Sequence, residues 1–145
     1  MPRFLVLALL VVPSAARADT ITVVAGGTDA DGKPALVQPF GVDFGPDGTV
    51  YIVEMAKGER LRALSPDGKL VTLAGTLGAK GSAGDGGPGL NATFNGTHSL
   101  AVGPDGVVYL ADTWNNRVRT FDPKTKTVAA FAGTGEKGYL SLIHI

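Results

Sequence analysis

The stretch that decides the fold is GPDGVVYLADTWNNRVRTFDP, residues 103–123. Its β-branched run VVYLAD follows Pro104-Asp105-Gly106, which is typical of a strand entered from a tight turn, because Pro presets φ and Gly accepts a positive φ. Earlier in the chain, GPDGTVYIVE at residues 45–54 has the same pattern at an offset of 58 residues. The chain is therefore expected to contain a repeated β unit.

The rest of each unit also repeats. ERLRALSPDGKLVTLAGT (59–76) aligns with NRVRTFDPKTKTVAAFAGT (116–134), and the runs 49–54, 70–75 and 107–112 have strand composition. No window has the 3.6-residue apolar period of a stable helix. Four short strands per repeat predict an all-β chain, a β-propeller built from four-stranded antiparallel blades, about two of which are present. The alternative, a sandwich of unrelated hairpins, does not predict the repeat.

Composition restricts the class of partner and the source of stability. The chain has 145 residues, in which 13 Lys and Arg balance 13 Asp and Glu, and it has no cysteine. Nucleic acid is therefore not an expected partner, because binding it requires a basic surface. Disulfide frameworks, thiolate zinc sites and cysteine nucleophiles are excluded.

The first 18 residues have the pattern of a secretory signal peptide. Arg3 precedes the apolar run 4–12, and small residues flank Arg17 at the expected cleavage point after Ala18. Nine apolar residues are too few to span a bilayer, which takes about 20 as a helix. We expect a secreted or periplasmic protein with no membrane span in its mature chain, propeller blades over 19–138, and a separate tail over 139–145.

Residues 103–123 resemble the NHL repeat, in which a PDG turn leads into an aliphatic-Tyr strand, Ala-Asp and an Asn-x-Arg loop. Residues 45–68 resemble it with Glu54 in place of the Asp, and the Gly-rich residues 74–102 are similar to the inter-blade stretch of bacterial NHL proteins. The resemblance implies a six-bladed propeller related to the TolB-like and gluconolactonase-like superfamily. Two blades do not close a ring, so we expect an amino-terminal fragment with a non-native tail. The alternative is a two-blade protein completed by self-association.

Three residues are candidates for a metal site. Glu54 and Asp112 end equivalent strands, where the NHL resemblance implies that the acid accepts hydrogen bonds from nearby backbone and from the Asn-Arg loop. In gluconolactonase-like propellers an Asn and an Asp in such places bind a divalent cation, and His98 occupies the Asn position here. The sequence leaves the cofactor open between none and a divalent cation, Ca²⁺ or Zn²⁺, at the central channel.

The loop Trp114, Asn115, Asn116 is the candidate binding loop, because an exposed aromatic can anchor a ligand, although a packed loop Trp is equally ordinary. Four alternating arginines (Arg60, Arg62, Arg117 and Arg119) are expected on solvated faces or in salt bridges to blade carboxylates. No complete catalytic set is visible. The sequence favours an exported, non-catalytic scaffold that binds a protein or small-molecule ligand at the propeller face. The alternative is a metal-dependent hydrolase or lactonase with a channel cation.

Overall fold

A computed structural model describes residues 25–28 and 31–138, so the expected signal peptide and tail lie outside the described residues. Within them, the regular structure is almost entirely strand, with 3-10 helices at Gly89–Asn91 and Thr113–Asn115. No helix in the described ranges is long and apolar enough to cross a membrane. The strands are β1 (Pro39–Phe44), β2 (Val50–Glu54), β3 (Arg60–Leu64), β4 (Leu70–Gly75), β5 (Gly87–Pro88), β6 (Thr97–Val102), β7 (Val108–Asp112), β8 (Arg117–Asp122) and β9 (Thr127–Ala132).

The strands form two antiparallel sheets, which we call the first and second blade. The first has the order β1-β2-β3-β4, as the repeat predicts. The second has the order β5-β9-β8-β7-β6, because the inter-blade stretch adds the two-residue strand β5 to the outer edge. Gly87 pairs with Val128 and Pro88 with Thr127 there. The additional strand covers part of an edge that would otherwise present unpaired backbone groups.

The PDG turns close hairpins, as predicted. In the first, Gly48 takes a φ of +83°, which glycine adopts without a Cβ clash. The Asp47 carboxylate accepts the backbone N–H of Thr49 at 3.0 Å, and the N–H of Gly45 donates to the Thr49 carbonyl at 2.8 Å. These bonds hold the turn and set the register of the strands on either side.

The two blades have the same strand register, including one irregularity at the equivalent place. In each, the pairing of the third and fourth strands shifts at one point, between Leu61 and Arg62 and again between Val118 and Arg119. The fourth strand of the first blade ends at Gly75 with a φ of +81°, where an added Cβ would lie 2.3 Å from the Glu59 carbonyl oxygen. The close approach and the positive φ together require glycine at this strand end.

The hydrophobic core lies between the blades. The strands β1 and β6 pack against each other, and Asp43 on β1 accepts the backbone N–H of Val102 on β6 at 2.8 Å. That bond and the N–H of Phe44 lower the pKa of the Asp43 carboxyl. Buried core residues come from the first blade (Tyr51, Val53, Leu61, Ala63, Ala74), the inter-blade stretch (Ala92, Phe94) and the second blade (Val108, Leu110, Phe121, Val128).

Candidate functional site

Glu54 and Asp112 are buried strand-end carboxylates that fasten loops, as the hydrogen-bonding interpretation expects. Glu54 accepts the backbone N–H of Val37 at 2.6 Å and the Nε–H of Arg60 at 2.5 Å. Arg62 Nη1 lies 3.4 Å from the same carboxylate. Because Glu54 is fully buried, these donors replace the water that its charge would otherwise need.

Asp112 has the equivalent position in the second blade and the equivalent contacts. It accepts the backbone N–H of Asn95 at 2.9 Å, Nδ2–H of Asn115 at 2.8 Å and Nε–H of Arg117 at 3.3 Å. It is also fully buried. Each acid therefore ties the loop before the first strand of its blade to the start of the third strand, and Asp112 also binds the loop between the second and third strands.

Arg119 is the largest fully buried side chain in the described residues, and it joins the inter-blade stretch to the second blade. It is fully buried, and its Nε–H donates to Asp85 at 2.8 Å. Its Nη groups donate to the carbonyls of Thr93 at 2.8 Å and Ala83 at 3.0 Å, and its guanidinium lies 4.9 Å from the Phe94 ring centroid. Burial lowers its pKa, and the charge of Asp85 opposes that shift.

The alternating arginines therefore form salt bridges to blade carboxylates, which was one of the two expected arrangements, and do not lie on solvated faces. Arg117 contacts both Asp112 and Asp85, and Arg62 is 8% exposed beside Glu54. Asp85 was not identified from the sequence. Asp85 lies in the GDGG motif, upstream of the Arg-x-Arg pair whose charge it neutralises. That position is the sequence signal that could have indicated Asp85.

Glu59 is the second charged residue, after Asp85, that the sequence analysis did not identify. It is fully buried with a φ of +51°, a left-handed conformation that few side chains adopt without strain. One carboxylate oxygen accepts the backbone N–H of Gly96 at 2.9 Å, and the other lies 3.9 Å from Lys80 Nζ, with no hydrogen-bond partner among the described residues. Burial raises the pKa of Glu59, and the Gly96 bond and Lys80 partly offset that effect.

His98 lies apart from these buried carboxylate contacts. It is exposed on β6, and its ring centroid is 4.2 Å from that of Phe40, its counterpart on β1. Within residues 25–28 and 31–138, no three His, Asp or Glu side chains are grouped so that they could hold a metal ion. Arginine and backbone donors already bind the carboxylates of Glu54 and Asp112. The calcium or zinc site therefore remains a prediction.

The Trp114 loop is exposed and firmly held. Trp114 is 50% exposed, and its N–H donates to the Asn95 carbonyl at 3.0 Å. Its ring packs so closely on Gly96 that an added Cβ there would lie 2.5 Å from ring carbons, and Lys80 Nζ lies 4.8 Å from the ring centroid. Asn116 closes the turn with a φ of +50°.

A polar cavity of about 310 Å³ borders this loop. Asn115 lies at its edge, and its Nδ2 bridges the carboxylate of Asp112 and the carbonyl of Gly81, at 2.8 and 2.7 Å. The structure thus brings Trp114 and Asn115 together at one cavity, whereas Asn116 is not among its lining residues. The lining side chains are Ser82, Trp114, Asn115, Arg117, Thr134 and Glu136.

Residues 39–132 form two antiparallel meander sheets with PDG turns. In each sheet a buried strand-end acid binds an arginine and a loop. These features define the two sheets as β-propeller blades. The family model of the teneurin NHL domain matches residues 11–122. The chain belongs to this NHL family, which confirms the resemblance seen in the sequence.

Similar proteins agree. NHL repeat-containing protein 2 of Bos taurus is 32% identical over 109 residues, 73% of this chain and 15% of the relative. SUPPRESSOR OF QUENCHING 1, chloroplastic, of Arabidopsis thaliana is 32% identical over 116 residues, 72% of this chain and 10% of the relative. A structural genomics protein of unknown function from Bacteroides thetaiotaomicron superposes with a TM-score of 0.55 and 31% identity over 67% of this chain and 24% of its own. The chain thus spans a small part of each relative.

Proposed function

We propose that this NHL propeller segment belongs to an exported scaffold that binds a protein or small-molecule ligand at the loop surface around Trp114. The observation that carries the proposal is a half-exposed Trp114 beside a polar cavity, on a loop tied to the buried carboxylate of Asp112. A site held rigid before binding loses little conformational entropy when a ligand arrives. Export is proposed from the signal-like residues 1–18.

Binding is testable because Trp114 is the single tryptophan of the chain. A panel of neutral oligosaccharides, dicarboxylates and mixed-sequence decapeptides is titrated while the Trp114 emission is followed. We expect a saturable change with at least one chemical class, weakened by Glu136→Ala at the cavity and unaffected by Lys124→Ala on a distant turn. A panel that leaves the emission unchanged and gives no calorimetric heat would contradict the proposal.

Export is tested separately with a reporter that is active only outside the cytoplasm. Residues 1–18 fused to alkaline phosphatase should give activity, and the same fusion with Leu9→Arg should not, because a charge interrupts the apolar run. Equal activity from both fusions, or none from either, would refute export by this segment.

A further inference from the structure

Lys80 and Trp114 form a cation–π contact between the inter-blade stretch and the candidate binding loop. Lys80 Nζ lies 4.8 Å from the centroid of the Trp114 ring, whose electron-rich face attracts a positive charge. The backbone of Lys80 is fixed, because it forms a β-bridge with the buried Phe94. The Lys80 side chain is 51% exposed, so it can leave the ring without a change in the chain around it.

A buried carboxylate lies beside the same ammonium group. Glu59 is fully buried; its Oε2 accepts the N–H of Gly96 at 2.9 Å, and its Oε1 lies 3.9 Å from Lys80 Nζ. That separation is too long for a hydrogen bond, and Oε1 has no other donor within the part of the chain that the structure describes. A buried carboxylate oxygen without a donor costs free energy, so a cationic donor placed closer to Oε1 is bound favourably.

The turn that contains Glu59 does not itself require a glutamate. Glu59 and Asn116 each directly precede the third strand of their blade, and their φ angles are +51° and +50°. Asparagine enters this left-handed region more readily than most residues, so the turn alone favours Asn over Glu. The longer side chain of Glu59 instead reaches the inter-blade stretch, where Gly96 uses one of its two oxygens. Neither the turn nor the Gly96 bond accounts for the other oxygen.

Gly96 brings this carboxylate and the aromatic ring together. Its N–H binds Glu59, and it packs so closely on the Trp114 ring that an added Cβ would lie 2.5 Å from ring carbons. Burial raises the pKa of Glu59, and the charge of Asp112 adds to that shift. The Gly96 bond and Lys80 offset this rise in pKa only in part. An ionised Glu59 is therefore stabilised further by a positive charge that lies nearer than Lys80 does.

We propose that the Trp114 surface binds the guanidinium group of an arginine side chain on a peptide partner, which displaces Lys80 from the ring. This inference rests on the proposed function and names its ligand class. A guanidinium group is planar, stacks on aromatic rings and is less strongly hydrated than an ammonium group. It can stack on Trp114 while one of its N–H groups donates to Glu59 Oε1, which Lys80 does not reach. Lys80 is then an internal competitor that covers the ring until the ligand arrives.

Three capped tripeptides that differ in one side chain test the proposal. They are acetyl-Gly-Arg-Gly-amide, the same peptide with lysine, and the same peptide with citrulline, which has nearly the shape of arginine but no charge. Each is titrated into the 145-residue chain at constant ionic strength, while the emission of Trp114 and the heat of binding are followed. We expect saturable binding of the arginine peptide, weaker binding of the lysine peptide and none of the citrulline peptide.

Two variants act on the site in opposite directions. Lys80→Gln should tighten binding of the arginine peptide about two- to fivefold, because the ligand no longer displaces a resident cation. Lys69→Gln, the same change at an exposed position on the turn between β3 and β4, should leave the affinity unchanged. Glu59→Gln should weaken binding by at least about tenfold, because the amide still accepts the Gly96 N–H but offers the guanidinium no charge. Asp105→Asn, on an exposed turn of the second blade, is its matched control.

Circular dichroism first verifies that each variant is folded, and if Glu59→Gln is not, the citrulline comparison and Lys80→Gln decide. Equal binding of the arginine and citrulline peptides overturns the inference. Weaker binding by Lys80→Gln also overturns it, because Lys80 is then a ligand contact and not a competitor. A response of Trp114 to an oligosaccharide or a dicarboxylate, with none to the arginine peptide, overturns this inference and leaves the proposed function standing. No response to any probe overturns both.

Discussion

Replacing Arg119 with methionine should destabilise the protein more than any other single arginine change. Methionine keeps an unbranched apolar stem against Phe94 but removes every donor. The change leaves the carbonyls of Thr93 and Ala83 without their guanidinium partners, and it leaves Asp85 with Arg117 alone.

The size of the loss follows from burial. Removing one partner of a buried ion pair typically costs about 3–5 kcal/mol, much of it from the group left behind. Asp85 is 31% exposed, so water rehydrates it in part and its share falls toward the lower end. Each carbonyl left without a donor adds about 1 kcal/mol. We therefore expect Arg119→Met to lower the free energy of unfolding by about 5 kcal/mol.

Urea unfolding followed by far-ultraviolet circular dichroism at neutral pH measures this loss. Arg62→Met, at the equivalent position of the first blade, is the matched control. Arg62 makes longer bonds, 3.0 Å to the Ala35 carbonyl, 3.3 Å to the Val71 carbonyl and 3.4 Å to Glu54, so its loss should be smaller. A loss below about 1 kcal/mol for Arg119→Met, or one no larger than that of Arg62→Met, would refute the reasoning.

A milder variant keeps the test usable if Arg119→Met does not fold. Asp85→Asn preserves the shape of the side chain and removes only the charge that faces Arg119 and Arg117. It should lower the free energy of unfolding by about 1 kcal/mol, given its partial exposure. An unchanged urea midpoint for Asp85→Asn would contradict the proposed importance of the cluster.

Three further outcomes are expected. Because burial raises the pKa of Glu59 above its ordinary 4.5, its contribution to stability is fully present below the unfolded-state pKa and is lost as pH rises through the folded one. In Glu59→Gln the urea midpoint should therefore fall less, as pH rises above the ordinary glutamate pKa of 4.5, than it does in the unaltered protein, and an unchanged pH profile would contradict this assignment. Gly75→Ala should lower the free energy of unfolding by about 2 kcal/mol more than Gly68→Ala does, because both glycines have a positive φ but only Gly68 has open space for a Cβ. Equal losses in the two variants would argue against the clash. If the channel cation exists, calcium or zinc that co-purifies by elemental analysis should be lost in His98→Ala, whereas metal retained by that variant, or none in either protein, would end that hypothesis.

Local features of the chain could be predicted because their causes are local. The fourth strand of the first blade was expected at 70–75 and is Leu70–Gly75, and the second strand differs from expectation by one residue. Turn chemistry, β-branched composition and a repeat of constant offset act within a few residues of one another. The hydrogen-bonding role of Asp112 was implied by the NHL resemblance of residues 103–123, which include the loop that directly follows it.

The tertiary structure alone decided which distant polar groups meet. Arg119 and Asp85 are 34 residues apart in sequence, and Glu59 and Gly96 are 37 apart. A spacing of two along a strand shows that two arginines share a face, but not whether another segment buries that face. The sequence by itself determined the blades, their turns and the four strands that both blades share, because these follow from short-range stereochemistry, whereas β5 joins the second blade only through tertiary pairing. Packing between blades decided which charges are buried, because burial depends on what lies opposite.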